Sequence, residues 1–312
     1  MLVTADGTTV FGGCPRQAAA RGVAHYPADG GTLAYAIAEA ISKQALRTVE
    51  WEREQMTITL HRELERACGC MAPADGRLDG RIRGLRLHKS PEELDWLQQA
   101  QDITDKVFAA CVDRVRVGMT DRDIQLLVGV LFHEMGSDTL SFDHVMGVGV
   151  DTSQPHVRPS GRVVEQGDFV MLDVGASVNG WGSDMTRMIA VGEPDAEKRE
   201  VYAVVQAAQA AGIAAAKVGT PCSQVDKAAR DVIEQAGYGR YFTHGLGHSI
   251  GEGPRFAPGD DTVLAPGMVM TVEPGIYLPG KFGVRIEDMV WLHETDTVNM
   301  THSPHALIVI PA

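Results

Sequence analysis

The chain lacks the features that mark several whole classes of protein. Its five cysteines, Cys14, Cys68, Cys70, Cys111 and Cys222, are odd in number and scattered over 312 residues. That is no disulfide framework, and it lacks the paired C-x-x-C spacing of a zinc ribbon. Such thiol usage predicts a reducing, cytoplasmic setting. The first residues carry no basic segment followed by an apolar run, and no stretch approaches the ~20 apolar residues that cross a bilayer, so no membrane partner is expected. No Walker A loop and no G-x-G-x-x-G after a strand are present, which leaves nucleotide cofactors without support. Basic residues are scarce: 28 stand against 41 acidic ones, for a net charge of −13, and neither sign forms a long run. This balance argues against a nucleic-acid or anionic-lipid surface.

What is present is enough apolar material, 44% of 312 residues, for a full core, and a length that suits one large domain with a small one. Residues 1–87 alternate short β-like pieces (LVTADGTTVFGG, RTVEW) with helix-like ones (TLAYAIAEAI, MTITLHRELERACG) and read as a small α/β lobe. The larger domain then spans 88–312. It opens with Ser90-Pro91-Glu92-Glu93, a capping box with proline in the first helical position. Trp96, Leu97, Ala100, Ile103, Val107 and Cys111 follow at three- and four-residue steps, the stripe of a one-sided helix. Thr120 and Asp121 open a second helix, Asp195 a third, and Ser223 caps a fourth that ends at Gly237. The strand candidates are FVMLDV (169–174), TRMIAV (186–191), MVMTVE (268–273) and GVRIEDMVWL (283–292). Helix, helix, strands occurs twice, which predicts two similar α/β halves with chemistry between them.

Four acids sit on or beside these apolar runs. Asp173 ends FVMLD, Asp184 follows eleven residues later beyond a glycine-rich hairpin, Glu273 closes MVMTV, and Glu287 interrupts GVRIED. An aspartate in a Gly/Ser-rich turn is ordinarily a solvated turn-former. An unpaired carboxylate among strand residues is costly to bury. Arg187 and Arg285 can neutralise two of the four at most, whereas two divalent cations balance −4 with +4. Oxygen donors with one imidazole suit Mn²⁺, Co²⁺, Fe²⁺ or Zn²⁺. The imidazole comes from THGLGHSIGEGPR, where glycines between His244 and His248 argue against a helical zinc pair.

Four ordered blocks, PHVRPSGRVVEQGDFVMLDVGASVNGWGSDMTRMIAVGEP, FTHGLGHSIG, TVEPGIY and GVRIED, resemble the motif set of the pita-bread metallopeptidases. This is the class of creatinase, prolidase, aminopeptidase P and methionine aminopeptidase, and the likeness is to its Xaa-Pro branch. The resemblance implies an α+β pita-bread domain and a metal-dependent hydrolase acting as an Xaa-Pro dipeptidase or aminopeptidase on small peptides, in a homodimer. It implies two divalent ions, Mn²⁺ or Co²⁺ ahead of Zn²⁺ or Fe²⁺. Their ligands would be Asp173, Asp184, His248, Glu273 and Glu287, with Asp184 and Glu287 bridging. Glu273 would be general base, His156 would contact substrate and assist the leaving amine, and His244 and Arg285 would lie near the proline end. Residues 1–87 resemble a shortened creatinase-type N-terminal domain.

One departure stands out. The family places a second catalytic histidine seven residues after the ligand histidine, whereas His248 is followed by Ser249-Ile250-Gly251-Glu252-Gly253-Pro254-Arg255. Aligning from the N-terminal side makes His248 the ligand; aligning back from EGPR makes it His244. The first match covers more residues, and neither restores the second imidazole. A different C–N substrate, or a binding protein on the same scaffold, therefore stays open. So does a serine hydrolase, because Gly247-His248-Ser249-Ile250-Gly251 spells G-x-S-x-G with Asp288 and His302 or His305 downstream, although EGPRFAPGDD is a poor helix to follow the serine.

Overall fold

The computed structural model describes residues 2–5, 7–11, 24–26, 32–71 and 77–312. They fall in two compact units, Met1–Leu85 and Arg86–Ala312. In the first unit β1 (Leu2–Thr4) pairs antiparallel with β2 (Gly7–Phe11), and β3 (Ala24–Tyr26) runs parallel to β2. The two helix-like segments form as read. Thr32 caps α1 (Leu33–Lys43), Thr57 caps α2 (Ile58–Cys68), and Gly69 ends α2 in a left-handed conformation. RTVEW contributes only an isolated bridge from Val49 to Met71. The sequence pattern gives no sign of α3 (Arg77–Leu87), whose Gly80 and Gly84 dilute its helical signal. Its Asp79 accepts the backbone N–H groups of Arg53 and Glu54. Gly12, Gly13 and Cys14 lie outside the described residues.

The second unit opens with α4 (Pro91–Val112), where Ser90 and Glu93 exchange both bonds of the capping box. Thr120 and Asp123 do the same for α5 (Asp121–Glu134). Next come β4 (Val145–Val148), β5 (Phe169–Val174), the short hairpin β6 (Ser177–Val178) and β7 (Trp181–Gly182), and β8 (Met185–Val191). Asp195 caps α6 (Ala196–Ala215). The next helix departs from expectation: α7 (Cys222–Gln235) starts one residue before Ser223, with Pro221 in the cap position. The N–H groups of Cys222 and Ser223 already reach the carbonyls of Thr262 and Asp260, so the Ser223 hydroxyl is free to bond Asp261 instead. The remaining strands are β9 (Gly247–His248), β10 (Arg255–Phe256), β11 (Val269–Val272), β12 (Gly275–Leu278), β13 (Phe282–Arg285), β14 (Asp288–Leu292), β15 (Thr297–Asn299) and β16 (Ile308–Ile310).

Two sheets carry the chemistry, one ordered β16-β8-β5-β4 and the other β11-β14-β15. On one face of the first, Val170, Leu172, Val174 and Ile189 pack with Val107, Phe108, Ile124 and Leu131 of α4 and α5. On the other, Phe169, Met171 and Met188 join Val201 and Val205 of α6, Val225 of α7, and Met270 and Val272 of β11. Strand alternation puts Asp173 on this second face with Phe169 and Met171, directly across from Thr186 on β8. The doubled order of helices and strands is thus observed. GVRIEDMVWL is not one strand, because β13 pairs with β12 while β14 pairs with β11. Ile286 and Glu287 fill the step between the two partners, which frees the Glu287 side chain from a ladder position. Among the described residues no helix is long and apolar enough to cross a membrane.

Candidate metal centre

The strand ends bring Asp173, Asp184, His248, Glu273 and Glu287 to the wall of one cavity of about 1010 Å³, at the upper end of small-ligand sites. Donor atoms of Asp184, His248 and Glu287 all lie within 4.8 Å of one another. His248 Nε2 is 3.5 Å from Asp184 Oδ2 and 3.5 Å from Glu273 Oε1. Its Nδ1 lies 3.1 Å from the carbonyl of Ser249, which can only accept, so Nδ1 carries the proton and Nε2 turns a lone pair to the acids. Thr271 ties two of these residues together, accepting the N–H of His248 at 2.9 Å and donating to Glu273 Oε1 at 3.1 Å. Gly247 must be glycine here, because a Cβ would stand 2.1 Å from the Thr271 carbonyl.

The electrostatics ask for cations. Burial, then repulsion from Asp173 and Glu273, holds the Asp184 carboxyl well above its ordinary range. Burial, then Asp184, Glu273 and Asp173, does the same to Glu287, and Glu273 is also raised by burial although Arg285 opposes it. One guanidinium answers these acids. Arg285 Nη2 donates to Asp173 Oδ2 at 2.6 Å, Nη1 to Tyr277 Oη at 2.8 Å and to the Pro155 carbonyl at 3.0 Å, and Nε to Thr186 Oγ1 at 3.0 Å. The Thr186 hydroxyl in turn donates to Glu287 Oε2 at 2.7 Å. The other Asp173 oxygen, Oδ1, is buried with no hydrogen-bond partner among the described residues. Arg187 does not help, since its ion pair is with Asp288 at 2.6 Å. An orphaned carboxylate oxygen, a free imidazole lone pair and three acids raised by burial are the donor set that one or two divalent cations fit.

His156 and His244 line the same cavity. His156 is exposed. His244 is engaged at both nitrogens, with Nδ1 2.8 Å from the Gly245 carbonyl and Nε2 2.9 Å from Tyr277 Oη. It offers the cavity a ring edge, and it stands apart from the acids that surround His248. Thr186, Thr271 and Tyr277 belong to the site without carrying a motif of their own. The two threonines are the lone hydroxyls in MTRMIAV and VMTV, a signal that exists, whereas Tyr277 meets Arg285 only through the β12–β13 hairpin.

Ser249 is no nucleophile elbow. It is 2% exposed, bends and β10 follow it where a helix is required, and its hydroxyl has only a 3.4 Å contact with the Gly251 carbonyl. His305 does meet Asp288, at 2.6 Å, but within the Arg187 network, while His302 lies 3.7 Å from Asp102.

Residues 95–294 match the model of metallopeptidase family M24. The chain is 38% identical over 236 residues to the Xaa-Pro dipeptidase of Pyrococcus furiosus, covering 74% of this chain and 68% of that protein. The crystal structure of an X-Pro aminopeptidase from Thermotoga maritima superposes with a TM-score of 0.89 at 30% identity, over 98% of this chain and 89% of that one. An Xaa-Pro dipeptidase from Bacillus anthracis gives 0.90 at 33% identity, over 97% and 86%. The chain belongs to metallopeptidase family M24 and has its pita-bread fold. It is a metal-dependent peptidase.

Proposed function

We propose that this metallopeptidase cleaves the bond between an N-terminal residue and proline in small peptides, with two divalent ions held by Asp173, Asp184, His248, Glu273 and Glu287. The observation that carries this reading is the meeting of four carboxylates and one imidazole in a single cavity, where among the described residues Arg285 is the arginine paired with these acids. Mn²⁺ or Co²⁺ suits this oxygen-rich set, with Zn²⁺ or Fe²⁺ as the other candidates. When bound, such ions bring water toward ionisation near neutral pH and polarise the substrate carbonyl.

The chain's own residues do the rest. Glu273 accepts the proton of the attacking water at its carboxylate, raised by burial toward the range in which it can take up and return one. His156 donates to the departing amine. Arg285 and Thr186 hold Asp173 and Glu287 in place, which spares these ligands reorganisation during the reaction. The first 87 residues stand as a shortened creatinase-type domain in this reading, and the buried thiols of Cys111 and Cys222 suit a reducing cytoplasm.

The test is proline release from a panel of Xaa-Pro dipeptides and longer Xaa-Pro peptides after loading with Mn²⁺ or Co²⁺, with and without chelator. Chelator-sensitive cleavage before proline is the expected result. Full metal binding with no amide cleaved, while a peptide still binds, would replace this reading with that of a binding protein.

A further inference from the structure

Helix α5 buries one side and leaves the other uncovered. Ile124, Val128, Leu131 and Phe132 face the core. The outward side is not the polar surface that an amphipathic helix ordinarily turns to water. Leu126 is 70% exposed and Val130 44%, and with Gln125, Gly129 and His133 they line a groove of about 550 Å³. Arg122 and Glu134 stand at its two ends, both exposed and neither in an ion pair among the described residues. A glycine in a helix interior is destabilising relative to alanine. The chain's own packing does not call for one here, since a Cβ on Gly129 would meet nothing within 4 Å among the described residues.

The order of these residues is self-complementary. Arg122, Leu126, Val130 and Glu134 follow at four-residue steps along one ridge of the helix. The ridge is symmetric about position 128: the two apolar residues flank it, and opposite charges end it. At a helical rise of about 1.5 Å per residue the charged ends lie about 18 Å apart. A twofold interface sets residue i against j and j against i. An axis at the level of position 128 therefore sets Leu126 against Val130 of a second copy and Arg122 against its Glu134, each contact made twice. A parallel pair would instead bring Arg122 to Arg122 and Glu134 to Glu134. The end charges and the opposed helix dipoles both choose the antiparallel arrangement, and a crossing angle of about 20° keeps the charged ends within reach.

We propose that the outward face of α5 docks a second copy of this chain, in an antiparallel α5 pair centred between Leu126 and Val130. The apolar middle supplies the affinity, and the charged ends fix the direction. With a net charge of −13, two copies repel over most of their surface, so a face that joins them must carry both signs. This one does. A partner of a single charge would match only one end of the groove, whereas the same helix turned end for end matches both. Gly129, open on its outer side, lets the two backbones approach closely. The face belongs to the helical side of the sheet that carries Asp173, and the inference is independent of the proposed peptide chemistry.

The test is sedimentation equilibrium on the full chain as wild type, Leu126→Glu, Arg122→Glu, Glu134→Arg and an equimolar mixture of the last two. Far-UV circular dichroism and thermal unfolding confirm that each variant is folded, as expected for substitutions of exposed side chains. At about 1–100 µM, the range suited to a small interface, the wild-type mass is expected to be twice that of Leu126→Glu. Arg122→Glu leaves acids at both ends of the groove and Glu134→Arg leaves bases at both, so each alone self-associates about 10- to 100-fold more weakly than wild type. Their mixture regains the wild-type affinity, because every end then meets its opposite. That rescue requires the partner to be this same helix. A monomeric wild type overturns the proposal and gives the face to a different partner. So does an association that Leu126→Glu leaves unchanged, or a mixture that associates no more tightly than either charge variant alone.

Discussion

Arg285 and Asp173 face each other across 2.6 Å, and among the described residues this pair supplies the one direct guanidinium contact to the four clustered acids. Both partners are largely buried, so removing the cation strands a carboxylate. Arg285→Met is expected to cost about 3–5 kcal/mol in the metal-free protein, read by urea unfolding. Arg285→Lys recovers only part of it, because one ammonium cannot serve Asp173, Tyr277, Thr186 and Pro155 together. A neutral Arg285→Met result means that the acids do not depend on the pair.

Asp184 works against the fold that holds it. Burial and its neighbours Asp173 and Glu273 oppose its charge. Asp184→Ala therefore raises metal-free stability while it abolishes the metal-induced rise in Tm and the hydrolysis. In wild type that rise corresponds to about 4 kcal/mol at a thousandfold excess of free metal over Kd. Ser249→Ala leaves metal retention and turnover intact. Loss of turnover in Ser249→Ala with normal metal content would return the case to serine chemistry.

His244 gives a pH signature of its own. Burial pushes its pKa from 6.5 down to about 4, with Arg285, His156 and Arg230 pressing the same way against the bond to Gly245. Between those values the unfolded chain binds the proton and the folded one does not, so this contribution is present above pH 6.5 and is lost as pH falls toward 4. Urea midpoints at pH 7 and pH 4.5, in chelator, should fall further for wild type than for His244→Gln. Equal falls would place the ring in water.

Gly247 sets how closely β9 approaches β11. Gly247→Ala drives a methyl into the Thr271 carbonyl, 2.1 Å away, and must displace His248 with it. The expected cost is about 1–3 kcal/mol or more, with metal affinity falling alongside. Calorimetric metal titration beside thermal unfolding checks both, and normal affinity in this variant means that His248 is not a ligand.

What the sequence made legible was local. Ser90 with Glu93 marks the start of α4 and FVMLDV marks β5, because caps and apolar runs are written in neighbouring residues. Asp173, Asp184, Glu273 and Glu287 stand out for the same reason, as acids on or beside apolar runs. Ser223 misleads as a cap, since its N–H and that of Cys222 are met by the distant carbonyls of Asp260 and Thr262. GVRIEDMVWL hides its break because the change of strand partner at Glu287 depends on β11 and β12. Tyr277 and the orientation of His248 follow likewise from pairings that no local pattern records.

In the proposed function these acids and His248 share divalent cations. Anomalous scattering from crystals of metal-loaded protein tests it most directly. Two peaks are expected, about 3.5–4 Å apart, between Asp173, Asp184, His248, Glu273 and Glu287. Peaks at His244 or at Asp102 and His302 with none among the acids would contradict it.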